Sequence, residues 1–286
     1  VVPPRFVAVG VSEKNSGGTQ SARERLQQQR QRDKAREKQR RVLIVSAAVV
    51  GVLGLAAVVG VIAANSGGKD SSDKAGPVVA PTGAVGGDKP AIPQGRPDAP
   101  STLAIWEDFR CPACAQFENF FRDTVHELEA SGAVKAEYHL ATLIDGNMGG
   151  SGSLRAANAA ACAQDAGKFT QYHDVLYINQ PQETDDAYAK NAKLIELAAK
   201  VPGLDTPAFR SCVEDGTHDA WVKKSNDAFK ASEFTGTPSV LLNGESIFPS
   251  KGSEQISAEN LKKWVAEANK GKKPGTASPA AGSPTR

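Results

Sequence analysis

The chain has 286 residues, of which 23% are charged, and its 34 Lys and Arg against 32 Asp and Glu leave a net charge of +2. Residues 1–41 hold eleven Lys or Arg and four Asp or Glu, a local balance of +7 that leaves −5 for the remainder. A mildly acidic folded part, with its basic excess gathered beside an apolar run, argues against nucleic-acid binding and points to a membrane address.

In chain order, 1–41 reads as a basic cytoplasmic arm, its Gln, Arg and Glu residues from Ser21 onward offering no apolar face to pack. Segment 42–64 carries no charge. As a helix it would be roughly 34 Å long against a bilayer core of about 30 Å, so a transmembrane helix is expected. Arg36, Lys38, Arg40 and Arg41 precede it and the neutral stretch from Asn65 follows, which sets the N-terminus in the cytoplasm and the C-terminal bulk outside. The alternative is a secretory signal, whose apolar core of about 7–15 residues and short leader fit less well. Gly51, Gly54 and Gly60 do not establish helix pairing, and a monomer is expected. Residues 65–91 are expected to be a flexible linker and 271–286, with Pro274, Pro279 and Pro284, a disordered tail.

Between them, 92–270 reads as one domain. Thr102 to Phe109 forms a buried strand, and Phe117, Phe121, Val125 and Leu128 recur at helical spacing after Cys111. Val134 to Leu143 supplies a second strand, parallel to the first because a crossover helix joins them. A Gly-rich turn, 146–152, opens a helical block at about 150–234 with helices over 154–166, 169–178, 187–200 and 218–231. Asp205-Thr206-Pro207 starts a further short helix inside it. Asn243-Gly244 suits a type I′ turn between strands 239–242 and 246–248, and a helix over 258–269 ends the domain. The order is βαβ, helical block, ββα: an α/β sheet with a helical insertion.

The chemistry gathers at Cys111-Pro112-Ala113-Cys114, which opens a helix after a strand. Unpaired amides and the macrodipole there favour an anion, so Cys111 is the expected nucleophile and Cys114, one turn in, its resolving partner. Pro112 fits a first-turn position whose N–H has no helical partner. Two other readings stand beside this: half of a zinc site, with His126, His139, His173 and His218 scattered along the chain, or an inert structural disulfide. Thr237-Pro238, just before the hairpin, is a common turn dipeptide taken alone, and becomes specific when paired with the cysteine motif.

The residues Trp-Glu-Asp-Phe-Arg-Cys-Pro-Ala-Cys, 106–114, and Gly-Thr-Pro-Ser-Val-Leu-Leu-Asn-Gly, 236–244, resemble the DsbA-like branch of the thioredoxin superfamily, especially its membrane-tethered Gram-positive forms. The resemblance implies a thioredoxin-like fold with an inserted helical domain, catalytic Cys111 and Cys114, and a cis bond before Pro238. It also implies a substrate-binding surface of Pro112, Thr237 and Pro238, no cofactor and no metal. Reduced secreted or cell-surface proteins would be the substrates, and a membrane partner of DsbB or VKOR type would re-oxidise the enzyme. Two positions depart from the family: Ala113 stands where many members have His, and Ile105 where several have an acid. Asp108 and Glu107 are then candidate proton carriers, or else solvated strand-end carboxylates. In an oxidising compartment Cys162 and Cys212 are expected to form a structural disulfide, with free thiols or a redox relay as the alternatives. Within the enzyme class the alternative to an oxidase is an isomerase or reductase; outside it, a tethered thioredoxin-like chaperone.

Overall fold

The computed structural model describes residues 77–279. The expected basic arm, the expected span at 42–64 and the first part of the expected linker, 65–76, lie outside the described residues. No helix among the described residues is long and apolar enough to cross a membrane.

A five-stranded sheet of order β1-β3-β2-β4-β5 organises the domain. β1 (Ile92–Gly95) runs antiparallel to β3 (Val134–Leu140), which is parallel to β2 (Ser101–Glu107). β4 (Ser239–Leu242) runs antiparallel to β2 and to β5 (Glu245–Ser246). The parallel pair follows from its crossover, α1 (Pro112–Ala130), since a hairpin turn can join only antiparallel strands. Asn243 at φ 52° and Gly244 at φ 88° make the tight turn between β4 and β5, where left-handed backbone is required and Asn and Gly supply it most readily.

Register sorts the side chains by face. Ile105 sits between Tyr138 and Val240, and Leu103 between Ala136 and Leu242, all of them in the main core with Phe117, Phe121 and Val125 of α1. One residue over, Trp106 pairs with His139 and packs in a smaller cluster with Ala141 and Phe229 on the other face. Burying each large apolar side chain stabilises the fold by about 1.5–3 kcal/mol.

The helical block comprises α2 (Leu143–Met148), α3 (Gly152–Asp165), α4 (Phe169–Ile178), α5 (Asn191–Ala198), α6 (Pro207–Asp215) and α7 (Asp219–Lys230), and α8 (Ala258–Ala268) closes the domain. Thr206 caps α6 by accepting from the Phe209 amide, with Pro207 in the first turn, as its sequence signal requires. α2 overlaps the start of the Gly-rich turn, and a hairpin of β6 (Ser250–Lys251) and β7 (Glu254–Gln255) follows β5.

Two stretches expected to be loose are held on the domain instead. Residues 77–91, placed in the linker by composition, form a strap: the Thr82 amide donates to Asp165 at 2.7 Å, Val85 bridges Ala91, and the Pro90 carbonyl meets His139 Nδ1 at 3.0 Å. The first part of the expected tail docks likewise, with the Gly275 amide donating to Gly132 at 2.8 Å and the Thr276 amide to Asp98 at 2.9 Å. Composition measures how little apolar surface a segment can bury. It does not register backbone groups satisfied by side chains of a distant element.

Candidate active site

Cys111 is the last extended residue before α1, at φ −75° and ψ 118°, and Pro112 takes the first helical turn. β2 is held between β3 and β4, so its C-terminal end delivers the turn 108–111 to a fixed place. Antiparallel β4 begins at that same end, because Ser239 pairs with Trp106. The loop before β4 thereby reaches the start of α1. The Cys111 thiol donates to the Thr237 carbonyl at 3.3 Å, and the Thr237–Pro238 peptide bond is cis. Pro112 is exposed beside them.

The two sulfurs differ in acidity. Cys111 is lowered from 9.0 to about 6, first by the hydrogen bond from the Cys114 thiol, then against the opposing effect of burial by the Thr237 side chain and the amides of Cys114 and Ala113. Helix-start amides thus contribute, but the partner thiol contributes more. Cys114, fully buried, is pushed well above 9.0, by burial first and by Cys111 second. The Thr237 hydroxyl is buried with no other partner, which leaves it free to serve the sulfurs.

Neither carboxylate named from sequence is a solvated strand end. Asp108 is buried, accepts from the amides of Arg110 at 2.8 Å and Ile144 at 2.9 Å, and is raised by burial to about 7. Its own backbone amide serves the Cys114 sulfur. Glu107 is buried too, with Oε1 2.9 Å from His173 Nε2 and Oε2 unpartnered. Burial would lower His173, but Glu107 and Asp174 outweigh it and raise its pKa well above 6.5.

Glu107, Glu118 and His173 also form a buried trio with metal-ligand chemistry, their ligand atoms lying within 4.8 Å of one another. Glu107 and His173 already engage each other at 2.9 Å, and burial raises Glu118 well above its usual range. Cys162 and Cys212 join α3 to α6 in a disulfide, with Cα atoms 5.9 Å apart. His218 lies close to both sulfurs, which as a disulfide offer no thiolate to a metal.

Several groups at the site carry no local sequence signal. Arg110, 3% exposed, sends Nη1 to Asp145 at 2.7 Å, to the Gly149 carbonyl at 2.9 Å and to Asp186 at 3.0 Å, and Nη2 to the Glu183 carbonyl at 3.1 Å. Gln180 Nε2 donates to the carbonyls of Phe109 at 2.9 Å and Cys111 at 3.0 Å. The Gly-rich turn now has a reason: a Cβ on Gly150 or Gly152 would lie 2.2 or 2.3 Å from an Asp186 oxygen. Only that abundance of glycine is visible in the sequence; the partners of Arg110 lie at least 35 residues further along the chain.

The thioredoxin family profile matches residues 88–267. A protein of Bacillus cereus named probable disulfide bond formation protein D is 27% identical over 158 residues, covering 54% of this chain and 71% of that one. Among solved structures, the reduced form of the disulfide bond oxidoreductase DsbG of Mycobacterium tuberculosis matches at 28% identity and TM-score 0.53, over 62% of this chain and 86% of the other. Oxidised DsbA of the same organism matches at 28% identity and TM-score 0.52, over 62% and 92%.

Proposed function

The chain belongs to the thioredoxin family, and from that premise we propose that it is a protein thiol-disulfide oxidoreductase, an oxidase that introduces disulfides into other proteins. The observation that carries this reading is the split acidity of the two thiols at the start of α1, set against a loop carbonyl 3.3 Å from Cys111.

In the reaction a substrate thiolate attacks Cys111 in the oxidised enzyme. A sulfur–sulfur bond forms to substrate, the Cys111–Cys114 bond breaks, and Cys114 leaves with the electron pair and takes a proton. A second substrate thiolate then attacks the substrate sulfur of the mixed disulfide and expels Cys111. Because Cys111 is the more acidic thiol, it is the better leaving group, which favours release of oxidised substrate. The substrate loses two electrons and two protons, and the enzyme disulfide becomes a dithiol. Asp108 is the proton carrier we favour: a carboxyl raised to about 7 holds or yields a proton near neutrality, and its residue adjoins Cys114. Glu107 is committed to His173 instead.

Substrate lies extended over Pro112 and the Thr237-Pro238 loop, pairing with backbone rather than with particular side chains, which suits many partners. The substrates are reduced secreted or cell-surface proteins. Segment 42–64 anchors the domain outside the membrane, and a membrane oxidase of DsbB or VKOR type restores the disulfide. The test is to mix the oxidised full-length protein with a reduced secreted protein and follow loss of substrate thiols. Disulfides forming in step with reduction of Cys111 and Cys114 are expected; oxidation no faster than without the protein overturns the reading. Protease added to intact cells should release the domain by cutting within 66–76, and cutting only after lysis would reverse the topology.

A further inference from the structure

Every residue from Asp108 to Cys111 is tied to the helical insertion, and the ties form a closed circuit around the nucleophile. Arg110 reaches out to the Glu183 carbonyl and Asp186, at the far end of the loop that follows α4. Gln180, at the near end of that loop, reaches back to the carbonyls flanking Arg110, those of Phe109 and Cys111. The loop is braced from outside the site as well: Asp186 accepts from the Ser151 and Gly152 amides at the start of α3, at 3.0 and 2.9 Å, and Asn179 Nδ2 donates to the Val175 carbonyl at 2.7 Å. Arg110 is half-shared with Asp145, which itself accepts from the Ser153 and Leu154 amides, both at 2.9 Å. The guanidinium is therefore neutralised by two carboxylates and acts as an anchor, leaving Gln180 as the uncharged donor nearest the nucleophile's backbone.

We propose that Gln180 is a positioning residue for the redox step: by donating to the Cys111 and Phe109 carbonyls it stabilises the Cys111 thiolate and so sets the oxidising strength of the pair. This rests on the oxidoreductase reading above and adds to it a role for the insertion. A carbonyl oxygen carries the negative end of its dipole, and two of them belong to the short turn that carries the sulfur. Each disfavours an anion there. An amide donor shared between them offsets that field and fixes the turn that aims Sγ at Thr237. Since the thiolate exists only in the reduced enzyme, whatever stabilises it makes the disulfide form a stronger oxidant.

Gln180→Met keeps side-chain length and removes the donor. In the full-length protein we expect the Cys111 thiolate titration to move to higher pH, and the equilibrium with glutathione to move about three- to tenfold toward the enzyme disulfide, the worth of one hydrogen bond. Gln180→Glu, which replaces the donor by a carboxylate, should move both further the same way. Arg110→Lys keeps the charge but loses the fork that holds the loop, and should move both in that direction while Arg110 and Gln180 changes together fall short of additive. A lower melting temperature with titration and glutathione equilibrium unchanged in Gln180→Met would overturn the proposal, leaving Gln180 a packing residue. If Gln180→Met does not fold, Arg110→Lys is read by the same two measurements, and no movement in either overturns the proposal equally. Neither readout uses a protein substrate, so failure of the wild-type protein to oxidise one would count against the function and not against this role.

Discussion

The four cysteines form two pairs whose surroundings could hardly differ more. Cys111 and Cys114 sit three residues apart at the start of one helix, share a hydrogen bond and face a hydroxyl and amides that favour one anion over the other. Cys162 and Cys212 are 50 residues apart and staple two helices of the insertion. Around them, Asn158 Nδ2 lies 3.5 Å from the Cys212 carbonyl and His218 is engaged at both ring nitrogens, by Val79 and Asp165. A disulfide's role is set by what its sulfurs become when it opens. The first pair opens into a stabilised thiolate beside the Thr237-Pro238 loop; the second opens into a gap between helices.

The largest expected effect separates the pairs outright. Cys111→Ser should abolish oxidation of a reduced protein, while Cys162→Ala with Cys212→Ala should leave turnover within about twofold. Loss of turnover in the double variant with the fold intact, by circular dichroism, would turn the second pair into a relay. Next comes stability: the same double variant should lose on the order of 2–4 kcal/mol, chiefly because the unfolded chain is no longer cross-linked, seen as a lower midpoint in denaturant.

A third test sharpens the comparison through pH. Alkylation of the reduced protein should label Cys111 first, with a rate that rises to half its plateau near pH 6, and Cys114 only after unfolding. Because the folded value of Cys111 lies below its ordinary 9.0, the stability it contributes to the reduced form is complete above that value and is lost as pH falls through about 6. The melting temperature of the reduced protein should accordingly fall more on acidification than that of the oxidised protein, which lacks the thiolate. Labelling of Cys114 ahead of Cys111 would reverse the assigned roles. The smallest effect belongs to Asp108, which is shifted the other way. Burial raises it to about 7, so the folded chain holds a proton the unfolded chain releases, and stability falls as pH rises from about 4 to 7. Asp108→Asn should flatten the melting temperature over that window and slow turnover near neutrality; an unchanged pH profile of turnover would remove Asp108 from proton transfer.

The thioredoxin-like core is legible in the sequence because its signals are local. β2, α1 and β3 each announce themselves by apolar spacing within a few residues, and the Asn243-Gly244 turn by two residues alone. The place of Cys111 at a helix start is legible for the same reason. Long-range polar pairings are not. Arg110 looks like any surface arginine beside a motif until Asp145 and Asp186 arrive from further along the chain, and Glu107 looks exposed until His173 covers it. The strap at 77–91 looks like linker because Thr82 and Pro90 are satisfied by Asp165 and His139, 83 and 49 residues further on.

That strap decides where a pull on the chain would be felt. Tension applied from the N-terminal side meets first the Val79 carbonyl on His218 Nδ1, 2.9 Å away, and then Thr82 on Asp165. Both footholds are on the helical insertion, and the sheet with its redox turn comes only later along the chain. Asp165 ends α3 and His218 precedes α7, while Cys162 sits one turn before Asp165 and links that helix to α6. The covalent staple thus lies where the force would enter, so that it would spread a tug across three helices before it reached the turn that carries Cys111.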